Sequence, residues 1–307
     1  MTTGSQELVI RPLQIGEEPH WLSCAPPPKD LDAERSALRA SLAAATEDPA
    51  CRLLAWEEGR CVGRLRLQLP HSGLCLLLGL AVPQASQRER VGRALIRYTC
   101  DQHAAHEVQG LCWERPEEQD LLDLLLAEGF QVHERKLYVE RDLVGFQPAE
   151  PDPFDYLTLR DAGEPAFVEV LAGLEPGSPS PDGLAQARSG FQELLELAGS
   201  ALDRDAWHVV RHRGDVVGLV LPQLFPDSPH EGTLYWIGLL PNWRGRGWGR
   251  ILHARGLRHL SERGARRYIG STPVENLPMR RVFAANGCTE LGVRVLLRNR
   301  PPETCSG

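Results

Sequence analysis

The sequence predicts an α/β protein of two tandem domains, each a mixed, mainly antiparallel sheet flanked by helices. Three observations predict it: an internal repeat at domain scale, a proline-rich joint between the copies, and β-rich runs alternating with helical periodicity inside each copy. A chain of 307 residues, 42% hydrophobic, is long enough for two cores of ordinary size.

The repeat is read from order and spacing. LTLRDAG from Leu157 answers LVIRPLQ from Leu8, and RHRGDVVG ending at Gly218 answers WEEGRCVG ending at Gly63. IGLLP around Gly238 answers LGLAVP around Gly79, and AANGC at Gly287 answers AEGF at Gly129, with all offsets between 149 and 159. Between the copies, Pro148, Pro151 and Pro153 remove backbone donors. The predicted division is therefore a domain over 1–147, a linker over 148–156 and a second domain over 157–307.

The second copy shows its elements in order. Two helical stretches in the 160s to 190s flank the loop Glu175 to Pro181. Trp207–His212 and Val216–Leu221 are β-rich runs joined by Arg213-Gly214-Asp215, the pattern of a hairpin. Leu234–Leu240 is a third strand ended by Pro241, since proline cannot extend the ladder. Ile251, Ala254, Leu257 and Leu260 then recur at helical spacing up to Gly264. Arg267–Gly270 follows as a strand, Pro278–Ala285 as a short helix capped by Asn286-Gly287, and Leu291, Val293, Val295 and Leu297 alternate along a last strand.

Composition narrows the function classes. No run approaches the roughly 18–20 apolar residues of a membrane span, and MTTGSQELVIRPLQ is not a signal pattern, so a cytoplasmic protein is expected. The eight cysteines have no C-x-x-C spacing and the histidines no metal-ligand pattern, so buried free thiols and no metal are expected. Lys29 and Lys136 are the only lysines, an arginine-biased usage associated with GC-rich bacterial genomes. The net charge of −7 argues against general nucleic-acid binding. Yet Arg244 to Arg300 holds 13 arginines against Glu262, Glu275 and Glu290, a basic region that calls for a specific anion.

The sharpest motif is Trp243 followed by Arg244, Gly245, Arg246, Gly247, Trp248, Gly249 and Arg250, set between a strand and an amphipathic helix. Unpaired N–H groups and the positive end of the helix dipole make such a start an anion site, and glycines let phosphate oxygens come close. A Walker lysine is missing and the strand belongs to an antiparallel meander, which disfavours nucleotide hydrolysis and dinucleotide binding.

Strand, Arg244-x-x-Gly247-x-Gly249, helix, strand, then Asn276-x-x-Met279 with a helix and Gly287-Cys288 resembles the GCN5-related N-acetyltransferase (GNAT) family, over about Leu157 to Leu297. The tandem layout is similar to that of mycothiol synthase, a two-domain member. The resemblance implies acetyl transfer from acetyl-CoA to a primary amine, without a metal. It implies that the loop cradles pyrophosphate, that the main chain of Leu239 and Leu240 on a bulged, splayed strand bonds the pantetheine, and that Asn276 helps hold it. Phe283 falls where many members have a tyrosine that protonates the leaving thiolate. For the base that deprotonates the amine, Glu231, His230 and Tyr235 stand near the strand, with Tyr235 and Glu231 the catalytic candidates.

The first copy departs at the loop. Gly92 and Ala94 are kept, but Glu89 and Arg90 stand where a polar or basic residue and a glycine belong, and Gly79 to Gly92 is longer than Gly238 to Gly247. A carboxylate repels pyrophosphate, so this half is expected to be structural or substrate-shaping, with a longer loop. The acceptor is expected to be a small-molecule or peptide amine, and the assembly a monomer with pseudo-dimeric halves or a homodimer. A non-catalytic acyl-CoA sensor, and a binder of RNA or an acidic partner, are the alternatives.

Overall fold

The computed structural model describes residues 7–24, 30–44, 48–69, 73–148, 151–174, 181–225 and 228–299. It divides into two compact units, Met1–Lys136 with Val293–Gly307, and Leu137–Gly292.

In the first unit β1 (Val9–Pro12) precedes α1 (Glu18–Ser23) and α2 (Leu31–Ala43), whose start is fixed by Asp30 Oδ1 accepting from the Ala33 amide. β2 (Arg52–Glu57), β3 (Arg60–Gln68) and β4 (Leu74–Ala81) form a meander; α3 (Arg88–Gln102) crosses to β5 (Glu107–Trp113), and α4 (Gln119–Ala127) follows. β1 to β4 pair antiparallel, whereas β4 and β5 pair parallel over Leu74–Leu77 and Glu107–Gly110, the geometry a helical crossover permits. β12 (Thr289–Arg298) closes this sheet antiparallel to β5, Arg294 opposite Trp113 and Arg298 opposite Gln109. Its alternation carries Val295 and Leu297 into the core made by Val91, Leu95 and Ile96 of α3 and Leu121 and Leu125 of α4. On the other face Trp21, Leu38 and Leu42 bury against Leu13 and Leu54.

The second unit takes the end of β6 (Gln131–Asp142), then β7 (Asp155–Thr158), α5 (Leu159–Leu174) and α6 (Pro181–Ala198). α5 is broken at Gly163, whose φ of 74° ends the first turn, and Pro165 opens the remainder. β8 (His208–His212), β9 (Asp215–Phe225) and β10 (Ser228–Leu239) are antiparallel; α7 (Trp248–Glu262) leads to β11 (Arg267–Pro273), and α8 (Leu277–Ala285) follows. Strand order is β7-β8-β9-β10-β11-β6. Buried on both faces, these strands are near-continuously apolar: Val209, Leu219 and Leu221 meet Phe167, Phe191 and Trp207, while Val210, Val217 and Val220 meet Leu252.

The hairpin, the strand ended by Pro241 and both following helices lie where the sequence places them. The units divide differently from the sequence boundaries 1–147 and 157–307: each takes its last strand from the other half of the sequence, β12 on β5 and the end of β6 beside β11. Asp155 and Tyr156, within the 148–156 linker of the sequence reading, open β7, and Phe154 is buried. Residues 149–150, and 175–180 of the predicted loop, lie outside the described residues.

Candidate functional site

In the second unit the parallel pair β10/β11 is joined only at Glu231–Arg267 and Gly232–Tyr268; beyond these β10 runs on to Leu239 and β11 to Pro273 without pairing. On its other edge β10 stays paired to β9 to the end, with a bulge at Tyr235 opposite Pro222, which has no donor to lose. The Leu240 amide bonds Val217 O. By antiparallel alternation Gly238 also faces β9, and the N–H and C=O groups of Ile237 and Leu239 face the gap.

A cavity of about 760 Å³ opens there. Ile237, Gly238 and Leu239 form one wall, Gly245, Gly247, Gly249 and Arg250 the second, and Asn276, Pro278, Met279, Arg281 and Val282 the third. Two helix starts converge on it. Gly247 caps α7 with φ 76° and no side-chain bond to the helix, and the Arg250 amide turns back to Gly247 O, so the first donors of α7 point outward. At α8 the Asn276 Oδ1 accepts from the Met279 amide at 3.1 Å. Gly245 and Gly247 have left-handed φ, and a Cβ at either would meet nothing within 4 Å, so the glycines leave open space facing the cavity. Among the described residues, Arg244, Arg250 and Arg281 are the charged residues of the lining, and no carboxylate joins them. This charge, the two dipoles and the extended strand edge suit a ligand with phosphates at one end and an amide-bearing arm.

Each sequence-predicted residue has a definite place. Arg244 donates through Nε to Leu239 O at 2.8 Å and through Nη2 to Leu174 O, bracing β10 against α5 while lining the cavity. Leu239, Gly245, Gly247, Gly249, Arg250 and Asn276 line it. Leu240 does not: its amide is spent on Val217 and its side chain packs with the α5/α6 core. Arg246 stacks over Trp243 and Trp248 at 4.8 and 5.5 Å and bonds Asn242 O, so its exposed guanidinium is held against the indoles and outside the lining. Trp248 stacks on Trp243 at 5.3 Å and meets Phe154 edge-on, holding the loop from behind. Phe283 is buried against His253, with ring centroids 5.4 Å apart, and presents nothing to the cavity.

The two catalytic candidates are elsewhere. Glu231 pairs with Arg267 at 2.8 Å at the closed end of β10/β11, eight strand residues from Leu239, or about 26 Å at ~3.3 Å per residue. Tyr235 turns to the α5/α6 side, edge-on to Trp207 with its hydroxyl directed to Leu197 O, and burial pushes its phenol up.

Beneath the site lies a brace that no sequence motif marks. Asn286 Nδ2 donates to Arg250 O and to His253 Nδ1, both at 3.0 Å, and His253 Nε2 faces the Tyr268 hydroxyl at 3.3 Å. Burial pulls His253 down to about 3, so it is neutral and its Nε2–H donates to the tyrosine. The brace ties the start of α7 to the end of α8; its signal was a histidine one turn beyond Gly249 on the apolar face of α7. Ile237 and Arg281 were also missed, and only the strand and helix registers would have found them.

The corresponding segment in the first unit is built differently. α3 starts at Arg88, so Glu89, Arg90 and Gly92 are helical rather than loop, and only 82–87 connect β4 to it, against 240–247 in the second unit. The expected longer loop is therefore a shorter one, because the extra residues are wound into helix. A Cβ on Gly92 would lie 2.6 Å from Leu124 Cδ1 and 3.1 Å from Leu80 Cδ2, and one on Gly110 2.3 Å from Leu125 Cδ1. Both glycines therefore serve close packing in the core, and 82–87, which stands in the place of 240–247, contains no glycine. Arg90 and Gln87 are spent on Glu57.

Among the described residues no group of three or more His, Cys, Asp or Glu could hold a metal ion, and no helix is long and apolar enough to cross a membrane.

Comparison with known proteins agrees with this duplication. The model of the acetyltransferase (GNAT) family matches residues 19–120 and again 176–288. The chain is 26% identical over 251 residues to the mycothiol acetyltransferase of Thermomonospora curvata, covering 81% of this chain and 82% of that one. It is 25% identical over 247 residues to that of Amycolatopsis mediterranei, covering 77% and 80%. Both relatives are bacterial. Among solved structures, a GCN5-related N-acetyltransferase from Sphaerobacter thermophilus superposes with TM-score 0.63 at 17% identity, covering 96% of each chain. A tandem GNAT protein from the clavulanic acid biosynthesis pathway gives 0.57 at 18%, covering 95% and 98%; both likenesses speak to the fold.

Proposed function

The chain belongs to the GNAT acetyltransferase family, and from that premise we propose that its second unit binds one acetyl-CoA in the cavity between β10, α7 and α8 and passes the acetyl group to a primary amine. The observation that carries this reading is the convergence of two helix N-termini and three arginines, with no carboxylate among the described residues of the lining, on a strand edge that has lost its partner. Pyrophosphate would sit over Gly245, Gly247 and Gly249. The pantetheine would replace β11 along Ile237 and Leu239, with Asn276 beside it. The first unit, whose connecting segment 82–87 has no glycine, would be structural or shape the acceptor site.

The acceptor nitrogen attacks the thioester carbonyl, the C–N bond forms as the C–S bond breaks, the sulfur leaves as thiolate and the nitrogen loses a proton. Held near an attacking amine, the thioester gains most from proximity and from main-chain donors that polarise its carbonyl. Among the described residues no carboxylate, histidine or phenol lines the cavity. Coenzyme A, an ordinary thiol with pKa of about 8.5, would leave with solvent as its proton source, and the amine would react in its free-base form. A small-molecule amine is the acceptor class we favour. The acceptor used in mycothiol formation is the first to try, because relatives of that name align over most of both chains.

The test is release of free coenzyme A from acetyl-CoA by the full chain with a panel of small amines and peptides. Amine-dependent release that rises with pH and is lost in Gly247→Glu supports the proposal. Tight acetyl-CoA binding without release on any amine would leave a binding protein in its place.

A further inference from the structure

A pair of cysteines lies in the first unit, apart from the cavity. Cys24 follows the last residue of α1, and its amide bonds Leu22 O. Cys61 is near the start of β3, opposite Trp56, where β3 bulges at Val62. Their sulfurs are 3.3 Å apart and share a hydrogen bond, though 37 positions separate them in sequence. The helix end is fixed over the strand: the Arg64 guanidinium lies 4.6 Å above the Trp21 ring and donates to Trp21 O at 2.7 Å, and Trp21 is buried with Leu13, Leu38 and Leu54. The two thiols are thus held together by the packing of α1 on the sheet.

We propose that Cys24 and Cys61 form an oxidation site, a facing dithiol that a hydroperoxide converts into an intrachain disulfide pinning the end of α1 to β3. The Cys61 thiolate attacks one peroxide oxygen; the O–O bond breaks, the sulfur becomes a sulfenic acid, and the second oxygen leaves and is protonated to water, or to an alcohol from an alkyl peroxide. The Cys24 sulfur then attacks the sulfenic sulfur, its proton leaving with the hydroxyl as water, and the S–S bond forms. Two thiols and one hydroperoxide give one disulfide, one water from the sulfenic acid and one water or alcohol, so the peroxide is the sole oxidant. A disulfide needs about 2.05 Å between sulfurs, so they close by about 1.3 Å from their present contact.

The chemistry separates this pair from Cys75, Cys100, Cys112 and Cys288. The hydrogen bond shared with Cys24 holds the Cys61 ionisation below the ordinary thiol range against burial, with the Arg64 charge adding to the effect, while Cys24 is raised. Cys61 is only partly buried. Burial pushes Cys75, Cys112 and Cys288 up to about 12 and also raises Cys100, so their reactive thiolate forms are scarce. The closed loop carries α2, so the bond removes unfolded-state freedom from the whole helical layer on that face.

The experiment titrates the reduced full chain with hydrogen peroxide, alkylates the remaining thiols and maps the peptides by mass spectrometry. A Cys24–Cys61 cross-link is expected as the first oxidised species, reversed by dithiothreitol, with the melting temperature several degrees higher in the oxidised protein. Cys24→Ser and Cys61→Ser should each abolish the cross-link and the shift, and under reducing conditions should melt with the wild type. Recovery of both thiols alkylated after other cysteines have reacted, or of Cys61 as sulfinic acid without a cross-link, overturns the proposal. Should a serine variant fail to fold, the order of oxidation in the wild type decides alone.

Discussion

Replacing Gly247 separates the two things this residue is argued to supply, a left-handed turn and an uncharged surface against phosphate. Its φ of 76° costs any other residue about 1–2 kcal/mol, and a Cβ there would touch no protein atom within 4 Å. Gly247→Ala and Gly247→Glu therefore share the same backbone strain and should melt within a degree or two of each other. A carboxylate at the start of α7 also meets a favourable helix dipole, so the charge should not unfold the protein. Against a bound phosphate about 6 Å away the same carboxylate is repulsive. On this exposed loop, with an effective dielectric between about 20 and 80, each unit of phosphate charge costs about 0.7–3 kcal/mol. Gly247→Glu should bind acetyl-CoA about 10–100-fold more weakly than Gly247→Ala, measured by quenching of the Trp243/Trp248 pair behind the loop. Raising the salt concentration should narrow the gap. Equal affinities for the two variants would refute a phosphate seat at Gly247.

Gly218 lets β9 approach β10, since a Cβ there would lie 2.1 Å from Gly238 O; Gly218→Ala should lose about 1–3 kcal/mol of stability and weaken acetyl-CoA binding, checked by urea titration and calorimetry. Phe283→Tyr should not raise the rate of coenzyme A release, because the ring faces His253 in the core; a buried hydroxyl should instead cost about 1–3 kcal/mol, and an increase in turnover would count against this placement. Burial pulls His208 down to about 4 and His253 and His259 to about 3, so all three are neutral in the fold while the unfolded chain takes up protons below about pH 6.5. Stability of the second unit should be level above about pH 6.5 and fall as pH drops toward about 4, by at most ~4 kcal/mol per pH unit for three independent sites and by less because His208 and His259 stack on each other. Urea midpoints across that range test it, and His259→Leu should flatten the slope.

Much of the second unit was legible because its signals are local. Arg213-Gly214-Asp215 makes a hairpin turn, Pro241 ends a strand, and the apolar spacing from Ile251 to Leu260 makes one face of a helix whatever lies around them. The glycine loop was legible for the same reason, since strand, glycines and helix start fix their own geometry. What escaped depends on distant partners. The crossing over of β6 and β12 is decided by which sheet edge each buries against, and nothing in 131–142 or 289–298 marks that edge. Arg246 sits among the phosphate-facing residues in sequence, but two tryptophans flank it at the right spacing to hold its guanidinium. Glu231 shares a strand with Leu239, and nearness in sequence became some 26 Å of extended chain. Phe283 keeps a familiar motif position, yet the rotation of α8 turns it toward His253.

The most direct measurement is a calorimetric titration of acetyl-CoA into the full chain. One site per chain is expected, because the second unit leaves space at Gly245 and Gly247 and the matching segment of the first, 82–87, has no glycine. Two sites per chain would contradict a non-binding first unit, and no binding at all would contradict the cofactor site in the second.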